Sequence, residues 1–78
     1  MVVYNEYNRN GGERMIKLNK IRKESGLTQK EVAEHLGMNV NAYQRIEYGT
    51  RGTNIENWDK LEDLFQVPQR ELRKQEIV

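Results

Sequence analysis

Residues 26–51 read GLTQKEVAEHLGMNVNAYQRIEYGTR and contain the start and end signals of two short helices. Thr28 and Glu31 match a capping box, in which the threonine hydroxyl accepts from the Glu31 amide while the carboxylate accepts from the Thr28 amide. Gly37 ends the helix that begins there, because glycine tolerates the left-handed backbone that closes a helix. The first of the two helices is therefore predicted to have only about two turns.

The second helix is predicted from Val40 to about Tyr48. Asn39 is a preferred N-cap residue, and Gly49 is placed to end this helix in the same way as Gly37 ends the first one. The two helices are therefore separated by a turn of about three residues.

Four positions meet the steric needs of two short helices that cross closely. Ala33 is small where the helices meet, and Gly37 allows the special backbone of the turn. Tyr43 and Ile46 are apolar and hold the second helix against the rest of the protein. These positions lie four, eight, fourteen and seventeen residues after Gln29, which is the spacing of a helix-turn-helix unit.

A helix is also predicted before this unit, from Met15 to Gly26. Leu18 and Ile21 lie three residues apart and form its inner face. Its basic residues are expected opposite or beside that face; they are Lys17, Lys20, Arg22 and Lys23.

Two further helices are predicted after the unit. Asn54 caps a fourth helix, whose apolar stripe consists of Ile55, Trp58, Leu61, Leu64 and Phe65. A last short helix begins at Pro68, which is tolerated in a first turn, and buries Leu72. Because no strand is indicated in the body of the chain, the fold class is all-α with five short helices.

Length and composition indicate one small domain. The chain has 78 residues, so we assign 15–78 to a single domain with the helix-turn-helix at 29–48, preceded by a flexible polar tail at 1–14. An alternative hypothesis is that the natural protein starts at Met15. Since a domain this small has a thin core, helix packing or dimerisation is expected to supply its stability.

Several classes of function are not expected. There is no cysteine and a single histidine, so no metal and no cofactor is predicted, and His35 is expected at the surface. Nothing in the chain matches a nucleophile with its base, a metal cluster or a glycine-rich phosphate loop, so we do not expect an enzyme. The chain has neither an apolar run of about 18 residues nor a signal peptide, so we expect no membrane contact and a cytoplasmic protein.

Charge is distributed unevenly although the net charge is only +1. Residues 15–53 have seven basic and four acidic side chains, whereas residues 54–67 have one basic and four acidic side chains. This asymmetry fits a protein with one side facing phosphates, and it fits an ordinary charged surface equally well.

The quoted residues 26–51 resemble the helix-turn-helix of the Cro/repressor (XRE-like) family. The resemblance rests on the GLTQ sequence at the start of the first helix, the A-x-x-x-G turn and the R-I-E-x-G end of the second helix. It continues up to about residue 72, in the sequence NIENWDKLEDLFQVPQREL. It implies a compact five-helix domain of the lambda-repressor-like DNA-binding type. It also implies a transcriptional regulator, with a repressor of phage, mobile-element or antitoxin type as the expected form. The chain departs from the family pattern at Tyr43, Tyr48 and Thr53.

The second helix of the unit is expected to read bases in the major groove, where the four base pairs are distinguishable. Its outward residues are Val40, Asn41, Gln44 and Arg45. Asn41 and Gln44 suit adenine, and Arg45 suits guanine or a phosphate. Val40 suits a thymine methyl group. For Val40 and Gln44 a plain surface role is equally open.

The DNA backbone is expected to contact residues on both sides of the reading helix, namely Gln29, Lys30, Tyr48, Thr50 and Arg51. The resemblance implies that Gln29 touches a phosphate and supports a side chain of the reading helix. It also implies that Glu47 is structural and pairs with a basic residue. Tyr48 is equally open to a role covering the edge of the core.

The expected partner is double-stranded DNA, bound as a palindromic operator by a homodimer, because one small domain makes few contacts. The expected dimer surface is the fifth helix and the C-terminus, with Leu72, Ile77 and Val78, and the N-terminal tail is an alternative contributor to it. The alternative function is a protein-interaction module, for example a toxin-binding antitoxin, with weak affinity for DNA.

Overall fold

The computed structural model describes residues 14–77, which form five helices and one two-stranded sheet. The elements in chain order are β1 (Arg14–Ile16), α1 (Lys17–Glu24), α2 (Gln29–Leu36), α3 (Val40–Tyr48), α4 (Ile55–Phe65), α5 (Gln69–Leu72) and β2 (Gln75–Ile77). The predicted tail lies outside the described residues except for Arg14, and so does Val78. The predicted all-α fold class with five helices is confirmed. The expectation of no strand in the body of the chain is wrong, because β1 and β2 pair with each other.

The caps of α2 and α3 form as predicted. The hydroxyl of Thr28 accepts from the Glu31 amide at 3.1 Å, and the Glu31 carboxylate accepts from the Thr28 amide at 2.8 Å. The bond from the Thr28 amide lowers the pKa of Glu31 most, and a bond that the Thr28 hydroxyl donates to Glu31 Oε1 at 3.1 Å lowers it further. Asn39 caps α3 by accepting from the Ala42 amide at 2.8 Å. Gly37 ends α2 with a φ of 72°, in the left-handed region that the turn requires.

The fourth helix begins at the predicted cap, since Asn54 accepts from the Asn57 amide at 2.8 Å. Trp58 and Leu61 are buried, as predicted for its apolar stripe. The prediction is wrong for Ile55, which is 74 % exposed because the helix begins there and its first position faces away from the core.

The sheet corrects the predicted start of the first helix. Met15 and Ile16 belong to β1, which pairs antiparallel with β2 so that Met15 faces Glu76 and Ile16 faces Gln75. The pairing continues at the start of α1, where the Lys17 amide donates to the Lys74 carbonyl at 2.7 Å. Met15 and Ile16 are buried under this arrangement, so their apolar character reflects strand packing rather than a helix face.

The hydrophobic core lies between the helices and includes residues from every helix. Its buried members are Ile16, Leu18, Val32, Ala33, Leu36, Tyr43, Ile46, Trp58, Leu61 and Leu72. Leu72 is completely buried in this core, so its predicted place in a dimer surface is wrong. His35 is exposed, as predicted.

The first helix differs from prediction in its polar residues. Arg22, which was expected opposite or beside the inner face of this helix, is buried. Asn19, for which no role was predicted, is buried too. Both face α3, where they donate to the carboxylate of Glu47. No helix in the described part of the chain is both long and apolar enough to cross a membrane.

Candidate nucleic-acid interface

The two faces of α3 differ sharply. Ala42, Tyr43, Ile46 and Glu47 are buried against the rest of the domain. Asn41 and Arg45 are exposed on the other side, with Gln44 half-buried beside them. The buried face holds the helix rigidly, so its outer side chains start from a fixed backbone. This is the arrangement that a helix needs if it is to enter a groove of DNA.

A hydrogen bond joins the start of α2 to the outer face of α3. Gln44 donates from its amide nitrogen to the side-chain oxygen of Gln29 at 2.9 Å. Gln29 in turn donates from its own amide nitrogen to Glu47 Oε1 at 3.0 Å. The resemblance implied that Gln29 supports a side chain of the second helix of the unit, and in the structure Gln29 bonds to Gln44 of α3.

Glu47 is the end point of this chain of bonds and is completely buried. It also accepts from Asn19 Nδ2 at 2.7 Å and from Arg22 Nε at 2.6 Å, and Arg22 further donates to the Leu27 carbonyl at 2.8 Å. Burial by itself raises the pKa of Glu47, but the hydrogen bonds from Arg22, Asn19 and Gln29 outweigh it, so the pKa is lowered. Glu47 is therefore a charged structural residue paired with a basic one, as the resemblance implied.

The hydroxyl of Tyr43 is enclosed next to this ion pair. It has no partner in hydrogen-bonding geometry within residues 14–77, although the ring itself is fully buried in the core. Burial raises the pKa of Tyr43, and the negative charge of Glu47 raises it further. The hydroxyl thus lies close to a carboxylate that already receives donors from Asn19, Arg22 and Gln29.

The remaining predicted contact residues lie at the two ends of α3 or in the segments next to it. Val40 is half-buried and packs against the core, so only part of its side chain is available to a thymine methyl group. Lys30 and Arg51 are exposed, and Tyr48 is 43 % exposed. Thr50 is exposed, but its hydroxyl donates to the Arg45 carbonyl at 3.3 Å.

The cations on and around α3 have no acidic partner among the residues that the structure describes. The ion pairs in that part of the chain are Lys17–Glu71, Arg22–Glu47 and Lys74–Glu71, and none includes Lys30, Arg45 or Arg51. Their charges are therefore available to an external anion such as a phosphate.

Sequence reasoning missed the roles of Asn19 and Arg22. The available signal was the position of Glu47, which lies on the same helical face as Tyr43 and directly after Ile46. A carboxylate on an inner face needs a buried cation, and Arg22 is the one that the fold supplies.

Comparisons with known proteins agree with this geometry. A family model described as "Helix-turn-helix" matches residues 18–75. The chain is 38 % identical over 56 residues to the cryptic phage CTXphi transcriptional repressor RstR of Vibrio cholerae, an alignment that covers 72 % of this chain and 50 % of that protein. The chain thus spans about half the length of this curated relative. No solved structure matches significantly. The protein belongs to the helix-turn-helix family, in agreement with its resemblance to the Cro/repressor (XRE-like) type.

Proposed function

We propose that the protein is a sequence-specific DNA-binding transcriptional regulator that acts as a repressor by occupying its operator. The observation that carries the proposal is the two-faced α3, whose inner face is buried while Asn41 and Arg45 project outward. A polar outer face on a rigid, exposed helix suits readout of base edges in the major groove.

Base reading is assigned to the outer face of α3. Asn41 lies in the first turn and pairs with adenine, while Arg45, one turn later, reaches guanine or a phosphate. Gln44 reads a base with its amide already oriented by Gln29. Val40 contributes a smaller apolar contact, because its side chain is half-buried against the core.

Backbone contacts are assigned to the regions that flank α3. Lys30 and Arg51 neutralise phosphates, and the exposed Tyr48 and Thr50 supply further polar atoms. Gln29 contributes through the positive N-terminal end of α2 and through its support of Gln44. These contacts position the reading helix but do not distinguish sequences.

Repression is proposed because the relative is a phage transcriptional repressor. The similarity to a phage repressor also supports an origin in a phage or mobile element. The protein then acts in the cytoplasm, where the DNA is. The function is one of binding and involves no catalytic step.

We also propose that the protein binds a palindromic operator as a homodimer, through the outer edge of β2. The Lys17 amide bonds to the Lys74 carbonyl, and in an antiparallel ladder hydrogen-bonded pairs alternate with pairs that are not bonded. Met15 and Glu76 are therefore a hydrogen-bonded pair, whereas Ile16 and Gln75 are not. The backbone N–H and C=O of Gln75 then point away from β1. No other strand within residues 14–77 pairs with this edge. An unpaired strand edge is a template for a second strand, here that of a second copy.

The DNA proposal is tested by selecting bound sequences from a random duplex library and measuring affinity for the selected site. We expect Asn41→Ala to relax the preference at one base pair, costing about 1–3 kcal/mol there. We expect Lys30→Ala to weaken binding to all sequences and to reduce the dependence on salt. Glu34→Ala, on the exposed side of α2, is the control. No enriched sequence, or binding indifferent to salt, would contradict the proposal.

The dimer proposal is tested by sedimentation of the wild type and of Gln75→Pro. Proline removes an N–H that the β1–β2 pairing does not use, so the variant should fold normally, as circular dichroism will show. We expect the variant to dissociate at concentrations where the wild type is dimeric. A monomeric wild type, or an unchanged dimer in the variant, would exclude this surface.

A further inference from the structure

An open cleft of about 300 Å³ lies beside the C-terminal end of α3. One wall is the loop between α3 and α4, and the other is the segment that joins α5 to β2. Its lining residues are Ile16, Ile46, Gly49, Thr50, Arg51, Gly52, Thr53, Trp58, Arg73 and Gln75. Two of these are arginines and none is acidic, so the cleft carries positive charge.

Arg73 is held in place over an aromatic ring. Its guanidinium carbon lies 5.2 Å from the centre of the Trp58 ring, within the range of a cation–π interaction. Trp58 is itself buried in the core, so the ring is a rigid support. The planar guanidinium is therefore oriented before any ligand arrives, while its edge stays available for hydrogen bonds.

The charge of the two arginines is not neutralised within residues 14–77. The neighbouring cation Lys74 pairs with Glu71 at 2.7 Å, and Lys17 pairs with the same carboxylate at 3.1 Å. Neither Arg51 nor Arg73 has such a partner in that part of the chain. The positive charge at this end of the domain is thus concentrated in the cleft.

The cleft also offers a neutral donor. Thr53 Oγ1 accepts from Asn57 Nδ2 at 2.8 Å, so its own proton remains free for another acceptor. Two guanidinium groups and a hydroxyl donor match an anion with several acceptor oxygens, and a phosphate has this chemistry.

We propose that this cleft binds a backbone phosphate of the DNA operator between Arg51 and Arg73. The proposal rests on the DNA-binding function given above and extends the contact surface from α3 to the C-terminal segment, where no site residue was predicted. The loop that forms one wall follows directly after Tyr48, the last residue of α3. The bound phosphate is therefore one that flanks the base pairs read by α3.

The first test compares Arg73→Ala with Arg70→Ala over a range of salt concentrations. Arg70 is an exposed arginine of α5 that does not line the cleft. We expect Arg73→Ala to weaken binding on the order of 10-fold at low salt, equally for operator and unrelated DNA. The variant should release one counterion fewer than the wild type on binding, so the slope of log affinity against log salt concentration should be smaller by about 0.9. The loss of affinity should therefore be about 3-fold smaller at about 200 mM salt than at about 50 mM salt.

The second test uses Arg73→Lys and the double variant of Arg51 and Arg73. Lysine keeps the positive charge, so the dependence of binding on salt should stay the same as in the wild type. Affinity should fall, because lysine lacks the planar group that stacks on Trp58. If both arginines hold one phosphate, changing both to alanine should weaken binding by less than the product of the two single losses. Circular dichroism of each variant checks that the domain is folded.

The decisive test replaces single operator phosphates with neutral methylphosphonates. We expect one position at which the replacement weakens the wild type more than Arg73→Ala and leaves the double variant of Arg51 and Arg73 unaffected. No such position, or an Arg73→Ala variant that behaves like Arg70→Ala, would overturn the proposal even though the wild type binds its operator. Binding of inorganic phosphate that depends on Arg73, without such a DNA position, would assign the cleft to a free anion instead and would also overturn it. Failure of the wild type to bind any DNA would instead reject the proposed function.

Discussion

The guanidinium of Arg22 in α1 donates to the carboxylate of Glu47 in α3 over 2.6 Å, inside the core of the domain. The carboxylate is completely buried and the arginine nearly so. Through Gln29 the same carboxylate is connected to Gln44 on the outer face of α3. One buried ion pair therefore joins the packing of the first helix to the orientation of a side chain assigned to base reading.

Removing one member of this pair should destabilise the domain strongly. Glu47→Ala leaves Arg22 buried without its counter-charge, and we expect the free energy of unfolding to fall by about 3–5 kcal/mol. Glu34→Ala, at an exposed position, should change it by less than about 0.5 kcal/mol. Urea denaturation measures both. Because small domains have little stability to lose, Glu47→Ala should be partly unfolded in water. Equal midpoints for the two variants would contradict a stabilising role for the pair.

Stability should decrease as the solution becomes acidic. The pKa of Glu47 in the folded protein lies below its ordinary value of 4.5. The unfolded chain therefore binds a proton before the folded chain does as pH falls, so stability is full above pH 4.5 and is lost as pH drops toward the lowered pKa. Thermal denaturation at several pH values will show the slope. Glu47→Gln should flatten it, whereas Glu71→Gln should flatten it less, because Glu71 is at the surface and its pairs with lysine are screened.

Removing the Tyr43 hydroxyl should not harm the fold. The hydroxyl is buried without a partner in bonding geometry within the described residues, and such a group costs about 1–3 kcal/mol. We expect Tyr43→Phe to raise the free energy of unfolding by about 1 kcal/mol. Its proximity to Glu47 makes the opposite result informative: a loss of stability that disappears in a Glu47→Gln background would mean that the hydroxyl donates to this carboxylate.

Gln29 and Gln44 should behave as one unit in DNA recognition. Gln29→Ala removes the acceptor that orients the Gln44 amide, and we expect it to relax selectivity at the base pair that Gln44 reads. A double-mutant cycle with Gln44→Ala, measured by fluorescence anisotropy on the selected operator and on a variant of that base pair, should give a coupling of about 0.5–3 kcal/mol. Strictly additive effects would show that the hydrogen bond does not matter for binding.

Two positions of the α4 apolar pattern should differ in their tolerance of substitution. Ile55→Glu should change the free energy of unfolding by less than about 0.5 kcal/mol, because Ile55 is exposed and an acidic residue suits the first turn of a helix. Leu61→Ala should lower it by about 2–5 kcal/mol, because Leu61 is completely buried. Chemical denaturation of the two variants provides the comparison. A large loss for Ile55→Glu would indicate that this residue is covered by another molecule.

The sequence alone was enough to locate α2, α3 and α4. Their starts depend on side-chain bonds that reach three residues along the chain, as at Thr28, Asn39 and Asn54, and two of their ends depend on a glycine. Such signals are local and can be read without knowing what else is nearby. The same holds for the polar outer face of α3, which follows from the helical period once Tyr43 and Ile46 are assigned to the core.

Only the tertiary structure decided which distant residues meet. Strands β1 and β2 pair although they lie at opposite ends of the described sequence. A strand of three residues is too short to show an alternating pattern from which its pairing could be predicted. The sequence predicts a surface position for Arg22 because it is charged. In the structure Arg22 is buried, because it neutralises the buried carboxylate of Glu47. The cleft between Arg51 and Arg73 likewise joins segments that are far apart in sequence. Local hydrogen bonds determined the helices, whereas long-range pairing of strands and charges determined how α3 is supported.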